Sequence, residues 1–256
     1  MLKITPIPAF TDNYIWMIST SDQPQAWVVD PGDAAPVLAA LQSADKTLGG
    51  VLITHHHPDH TGGLPALLEQ HRIPVIGPPG IQGVSQSVQE DDVVEVLGHR
   101  LRVLETPGHT LDHIAFVSDD ADQPLLFCGD TLFAAGCGRM FEGTAEQMHD
   151  SLSKLAGLPA TTQVYCAHEY TEANLKFAKA VEADNQTIKD RLSKTLAVRR
   201  HGRPTVPSTL AVELASNPFL RCDQENVRSA AQAQSQRPLE SPAEVFGALR
   251  GWKDRF

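Results

Sequence analysis

The sequence predicts a layered α/β protein with a helical appendage at its C-terminal end. Two observations carry this expectation. Over the first two-thirds of the chain, short apolar runs alternate with turns and with a few helical stretches, the pattern of sheets covered by helices. After about His168 the short runs cease and helical spacing takes over.

Taken in order, Tyr14–Ser19, Ala26–Asp30, Gly50–Thr54, Pro74–Gly77, Val93–Leu97, Leu101–Glu105, Ile114–Ser118, Leu125–Cys128 and Gln163–Cys166 read as strands. Each is short, rich in Val, Ile, Leu or aromatic residues, and bounded by Gly, Pro, Asp or Asn. Helical stretches at Ala34–Ser43, Gly63–His71 and Thr144–Ala156 lie between some of them. This mixture predicts two sheets sandwiched between helices. Further on, Glu172–Glu182 and Ile188–Arg200 are spaced as helices, with Ile188, Leu192 and Leu196 on one face and Gly202 as a stop. The last helix is announced by Ser241 as N-cap, Pro242 in the first turn and Glu244 three residues after the cap. Its stripe of Val245, Leu249, Trp252 and Phe256 is expected to pack inward. The expected division is residues 1–168 and 169–256, and no internal repeat is visible.

Composition narrows the function. A chain of 256 residues suits one large domain, or a domain with a smaller appendage. Its formal net charge of −10 argues against a broad nucleic-acid or anionic-membrane surface, which needs clustered Lys and Arg. An anionic small substrate stays compatible, because a few cations or bound metals reverse the field inside one cleft. No apolar run approaches the roughly 20 residues that span a bilayer. The opening MLKITPIPAFTDNYIWMI lacks the n-region and unbroken h-region of a signal peptide, so a cytoplasmic location is expected. Cys128, Cys137, Cys166 and Cys222 form no C-x-x-C pair and are expected as small buried residues. Nothing demands more than a monomer.

The chemistry concentrates at strand ends. After Val51–Thr54 comes His55-His56-His57-Pro58-Asp59-His60, then Thr61-Gly62-Gly63 and a helix. In an extended segment alternate residues point the same way, so His55 and His57 can grip one ion while His56 faces away. Asp59 and His60, at the helix start, can hold a second. Imidazole and carboxylate donors suit zinc, and also iron or manganese. Three later clusters supply further donors: Thr106-Pro107-Gly108-His109-Thr110, Phe127-Cys128-Gly129-Asp130-Thr131 and Tyr165-Cys166-Ala167-His168-Glu169-Tyr170. A lone His after a strand is more often structural, and it is the four clusters in this order that point to a dinuclear centre.

These motifs, THHHPDHTGG, TPGHT, CGDTLF and CAHEY, resemble the metallo-β-lactamase superfamily. The remainder resembles one branch of it, the hydroxyacylglutathione hydrolases (glyoxalase II). That likeness includes Asn13-Tyr14, Val29-Asp30-Pro31-Gly32, Gly136-Cys137-Gly138-Arg139, Phe141-Glu142-Gly143-Thr144, Asn217-Pro218-Phe219-Leu220-Arg221 and the terminal Lys253-Asp254-Arg255-Phe256. The resemblance implies a four-layer αββα metallo-β-lactamase sandwich over 1–168 and a helical glutathione-binding domain over 169–256. It implies two divalent metal ions, zinc foremost, with His55, His57 and His109 on the first, Asp59, His60 and His168 on the second, and Asp130 bridging. Asp59 would also orient the metal-activated hydroxide, and His113 would pack beside the ligands without being one. Glutathione would be held by Arg139, Phe141, Tyr170, Asn174, Arg250 and Lys253. Phe141 departs from the Tyr of many relatives, and the lost hydroxyl is worth about 1 kcal/mol at most places.

The implied reaction is hydrolysis of S-D-lactoylglutathione to D-lactate and glutathione, the second step of methylglyoxal detoxification. A thiolate leaves without strong acid assistance, since its parent thiol has a pKa of about 8.5. The metal motif alone leaves open a lactonase, β-lactamase or phosphodiesterase on the same core. A persulfide dioxygenase would use a mononuclear iron and would not need Asp59, His60 and His168 together. An RNA-processing nuclease would bring a basic surface, and a metal-storage module would not need a substrate-binding appendage.

Overall fold

The computed structural model describes residues 1–118 and 120–256, which cluster into two compact units. The first comprises Met1–Glu105 and Asp112–Gly129; the second comprises Thr106–Leu111 and Asp130–Phe256. Among the described residues no helix is long and apolar enough to cross a membrane.

The first unit holds β1 (Lys3–Ala9), β2 (Asn13–Ser19), β3 (Gln25–Val29), α1 (Ala34–Ser43), β4 (Thr47–Leu52), α2 (Pro58–Thr61), α3 (Leu64–Gln70), β5 (Val75–Gly77) and β6 (Gln86–Ser87). These strands form one sheet in the order β1-β2-β3-β4-β5-β6. β1, β2 and β3 are antiparallel neighbours, and β3 to β6 run parallel, with helices in the crossovers from β3 to β4 and from β4 to β5 and a loop from β5 to β6. Every residue of β2 is buried, so this strand is covered on both faces. On one face Ile15, Met17, Val28 and Val51 pack with Val37 and Leu41 of α1 and with Leu64 and Leu67 of α3. Burying each of the larger side chains contributes about 1.5–3 kcal/mol.

β1 is a strand that the sequence pattern does not reveal. Pro6 and Pro8 lower its strand propensity, yet both are tolerated because β1 lies at the edge of its sheet, with one side unpaired.

The unit continues with β7 (Val93–Val96), β8 (His99–Glu105), β9 (Ile114–Ser118) and β10 (Leu125–Gly129), antiparallel in the order β10-β9-β8-β7. Leu101, Val103, Phe116 and Phe127 on these strands are fully buried. The backbone N–H of Ile114 donates to Thr54 O at 2.9 Å, which ties the start of β9 to the segment that leaves β4.

The second unit contains β11 (Leu132–Phe133), β12 (Gly136–Cys137), α4 (Ala145–Ala156), β13 (Gln163–Cys166), α5 (Thr171–Val181), α6 (Gln186–Arg199), β14 (Ser208–Thr209), α7 (Leu210–Ser216), α8 (Glu225–Ser235) and α9 (Pro242–Lys253). The capping box of α9 forms as expected: Ser241 Oγ accepts from Glu244 N at 3.2 Å, and Glu244 Oε2 accepts from Ser241 N at 3.4 Å. Val245 and Leu249 are buried, whereas Phe256 is 61% exposed, so the expected stripe stops short of its last member. The helix ends at Lys253, and beyond it the helical period no longer aims a side chain. α7 and α8 were not visible in the pattern. α8 buries only Val227 and Ala231 and is otherwise polar, too thin a stripe to register as a period.

Candidate metal centre

Four of the expected donors belong to the first unit. The chain leaves β4 at Leu52, passes through His55 and reaches His57 in extended backbone. Pro58 then opens α2, where its missing N–H costs nothing, and Asp59 sits in the first turn with His60 after it. His55 Nε2 lies 3.1 Å from His57 Nδ1, and His60 Nε2 lies 3.5 Å from Asp59 Oδ2. The rings of His55 and His60 are 4.1 Å apart, and His113 stacks on His55 at 4.7 Å. His55 and His60 are fully buried.

A buried carboxylate organises this cluster. Asp30 accepts from Thr54 N at 2.8 Å, Thr54 Oγ1 at 2.7 Å and His60 Nδ1 at 3.0 Å. Thr54 has one hydroxyl proton and gives it to Asp30, so its oxygen accepts from His55 Nδ1 at 3.0 Å. Both imidazoles thereby carry their proton on Nδ1 and keep a bare lone pair on Nε2, the form a metal ligand requires. Asp30 takes up a left-handed conformation, φ 54°, which Asp tolerates better than most residues. Asn13 Nδ2 donates to Asp59 Oδ2 at 3.0 Å and holds that carboxylate. Gly32 is required close by, because a Cβ there would lie 1.9 Å from the carbonyl oxygen of Asp59.

The other three expected donors belong to the second unit. His109 lies on the turn after Thr106-Pro107-Gly108, and His168 follows β13. Their Nε2 atoms both lie 3.4 Å from Oδ2 of Asp130, and all three side chains are buried. His109 Nδ1 donates to the carbonyl of Arg139 at 2.8 Å, which leaves its Nε2 unprotonated. A bare nitrogen facing a carboxylate oxygen is an acceptor against an acceptor, a juxtaposition that a cation reconciles. The donor set therefore fits divalent metal.

The expected glutathione residues divide by exposure. Phe141 is exposed, with its ring edge-on to His109 at 5.3 Å, and Tyr170 stacks on His168 at 4.7 Å. Arg139 is exposed, and its Nε lies 3.5 Å from Asp254 Oδ1. Lys253 is half-buried above the rings of Phe177 and Phe256; burial, then the neighbouring Arg250 and Arg139, lowers its pKa. Asn174 and Arg250 lie inside. Asn174 Nδ2 donates to Ala134 O at 3.1 Å, and Arg250 donates to Cys137 O and to Asp254, each at 3.0 Å. All four cysteines are buried thiols, and burial pushes those of Cys137 and Cys166 up to about 11 and about 12. Such thiols stay protonated at neutral pH and supply no nucleophile.

Sequence reasoning assigned no role to Asp30, Thr54 or Asn13. Asp30 stands just before Pro31-Gly32, where an Asp reads as a turn residue, and only its contact with His60 distinguishes it.

Comparison with known proteins bears on both units. The family model described as the metallo-beta-lactamase superfamily matches residues 15–168, and the one described as the hydroxyacylglutathione hydrolase C-terminus matches residues 169–256. The chain is 52% identical over 258 residues to a hydroxyacylglutathione hydrolase of Hahella chejuensis and 55% identical over 259 residues to one of Alkalilimnicola ehrlichii. Both matches cover the whole of each chain. Among solved structures, ETHE1 from Myxococcus xanthus is similar in fold, with a TM-score of 0.66 and 26% identity over 98% of this chain and 91% of that one.

Proposed function

The chain belongs to the hydroxyacylglutathione hydrolases of the metallo-β-lactamase superfamily, and we propose that it works through two metal ions held by His55, His57, Asp59, His60, His109, Asp130 and His168. It is a metal-dependent thioester hydrolase with the superfamily's α/β fold, and its substrate is an S-(2-hydroxyacyl)glutathione. S-D-lactoylglutathione is the substrate we assign, with zinc as the leading metal. The superfamily model spans all seven donors.

The observation that carries the metal assignment is the pair of His Nε2 atoms on one oxygen of Asp130, with His109 tautomer-locked by the Arg139 carbonyl. In this reading His55, His57 and His109 would hold one ion and Asp59, His60 and His168 the other, with Asp130 as a donor to both. When bound, such ions lower the pKa of water and polarise the thioester carbonyl. The chain's own residues do the rest. Asp59, held by Asn13, orients the attacking water and accepts its proton. The water oxygen bonds to the carbonyl carbon, the C–S bond breaks, and the pair of electrons leaves on the glutathione sulfur. Phe141 and Tyr170, packed on His109 and His168, wall the approach and exclude bulk water. Arg139 and Lys253 meet the glutathione carboxylates, the natural complement on a chain of net charge −10.

The two family models meet at residues 168 and 169, which supports dividing the chain there into a metal-binding domain and a helical glutathione-binding domain. The cytoplasm, with its glutathione pool, is the location we assign, and a monomer suffices. The test is hydrolysis of S-D-lactoylglutathione, followed by loss of thioester absorbance, with metal content measured on the same sample. Turnover with two metals per chain, abolished by chelation, is expected. Two bound metals without turnover would remove the glutathione assignment.

A further inference from the structure

We propose that Asn217 is a positioning residue for the candidate metal ligand His168, acting through the turn Phe133–Gly136 and the ring of Phe133. The inference rests on the metal reading above.

The links all lie within the second unit. The side chain of Asn217, which follows α7, is fully buried. Its Nδ2 donates to Gly136 O at 2.9 Å, to Phe133 O at 3.2 Å and to Glu213 Oε2 at 3.3 Å, while its Oδ1 accepts from Phe219 N at 3.1 Å. Acceptors surround one end of the amide and a donor meets the other, so the chemistry admits a single orientation. Glu213 Oε2 also accepts from Ala135 N at 2.8 Å, and Asn174 Nδ2 donates to Ala134 O. Four consecutive residues of the turn between β11 and β12 are thus held by three buried side chains. Ala135 stands at φ 57°, a conformation that an alanine keeps only where its surroundings impose it.

This turn is pressed against the donors of the second unit. The ring of Phe133 stands edge-on to His168 at 5.7 Å and to Tyr170 at 5.3 Å, and Tyr170 stacks on the face of His168. The imidazole is therefore bounded by two aromatic rings, one of which is carried by the turn. The same segment begins two residues after Asp130, whose Oδ2 lies 3.4 Å from His168 Nε2. Asn217 reaches back 84 and 81 residues to fix the backbone on which that ring is mounted. Nothing in its hydrogen bonding is directed at solvent, so its effect on the metal passes through the turn.

The test compares Asn217→Ser, Phe133→Leu, the double variant and Ser241→Ala. Serine still caps Phe219 N but is too short to reach the turn, whereas Ser241→Ala loses stability at a distant helix end. Three quantities are read: metal affinity by competition with a chromophoric chelator, the visible spectrum of the cobalt-loaded protein, and denaturant unfolding. Asn217→Ser is expected to lower metal affinity by about 10-fold, the lower end of what loss of a ligand's supporting partner costs, and to shift the cobalt bands. Ser241→Ala should do neither. The double variant should bind metal no more weakly than Phe133→Leu alone, because both changes act through one ring. Lowered stability of Asn217→Ser with wild-type metal affinity and spectrum would overturn the proposal, and so would fully additive losses in the double variant. Should Asn217→Ser fail to fold, Phe133→Leu decides, since unchanged metal affinity there would break the chain at its last link. Failure of the underlying metal reading would look different, because the wild-type protein itself would bind no metal tightly.

Discussion

Nδ1 of His60 lies 3.0 Å from Oδ2 of Asp30, thirty residues earlier in the chain, and both side chains are buried. The carboxylate accepts two further hydrogen bonds from Thr54, whose hydroxyl oxygen in turn accepts one from His55 Nδ1. One residue outside the H-x-H-x-D-H motif thus sets the tautomer of two expected ligands inside it. Asp30→Ala is expected to weaken metal binding by about 10–100-fold. Metal retained after dialysis against a mild chelator, compared with wild type, checks this; equal retention would show that Asp30 serves folding alone.

Lys253 gives a pH dependence with a definite sign. Burial, followed by Arg250 and Arg139, holds its pKa below the usual 10.5. The folded chain sheds this proton more readily than the unfolded one, so carrying the charge costs stability below the folded pKa. That cost is relieved as the pH rises through the folded value towards 10.5. Affinity for an anionic ligand should fall over the same window. Binding of S-methylglutathione, measured against pH, should decline earlier in the wild type than in Lys253→Arg, which stays charged. Superimposable curves would remove Lys253 from the glutathione site.

Glu213 is fully buried and accepts hydrogen bonds from Ala135 N, Arg191, Ser208 and Asn217. Glu213→Ala would leave the guanidinium of Arg191 largely buried without its counter-charge, a loss of about 3–5 kcal/mol. Denaturant unfolding of the two proteins tests this. A loss below about 1 kcal/mol, the value of an exposed pair, would contradict the burial argument.

Ser241→Ala removes the side-chain half of the capping box on α9. The expected cost is about 1 kcal/mol, or a Tm lowered by about 2–4 °C for a chain of this size. Thioester turnover at 25 °C should be unchanged, because the cap lies at the opposite end of the helix from Lys253. Lost activity at unchanged Tm would mean that the cap supports the site rather than the helix.

The readability of this chain follows from how local each feature is. The H-x-H-x-D-H run is legible because its donors are neighbours in sequence, and extended backbone turning into α2 brings His55 to His57 and Asp59 to His60. The cap of α9 is legible for the same reason, with Ser241 and Glu244 three residues apart. β1 was hidden because two prolines speak against a strand, and only its place at the sheet edge makes them harmless. Phe256 escapes the stripe because the helical period ends with the helix at Lys253.

By itself, then, the sequence determined the expected donors, the family and the order of most elements, all of which depend on residue type and short spacing. Tertiary structure alone decided which nitrogen of His60 and of His109 is left unprotonated and which arginine lies inside. Those outcomes turn on partners far along the chain: Asp30 is 30 residues from His60, Arg139 is 30 from His109, and Cys137 is 113 from Arg250. A hydrogen bond to a ring nitrogen or a guanidinium is set by where folding places the acceptor, and no local pattern records that position.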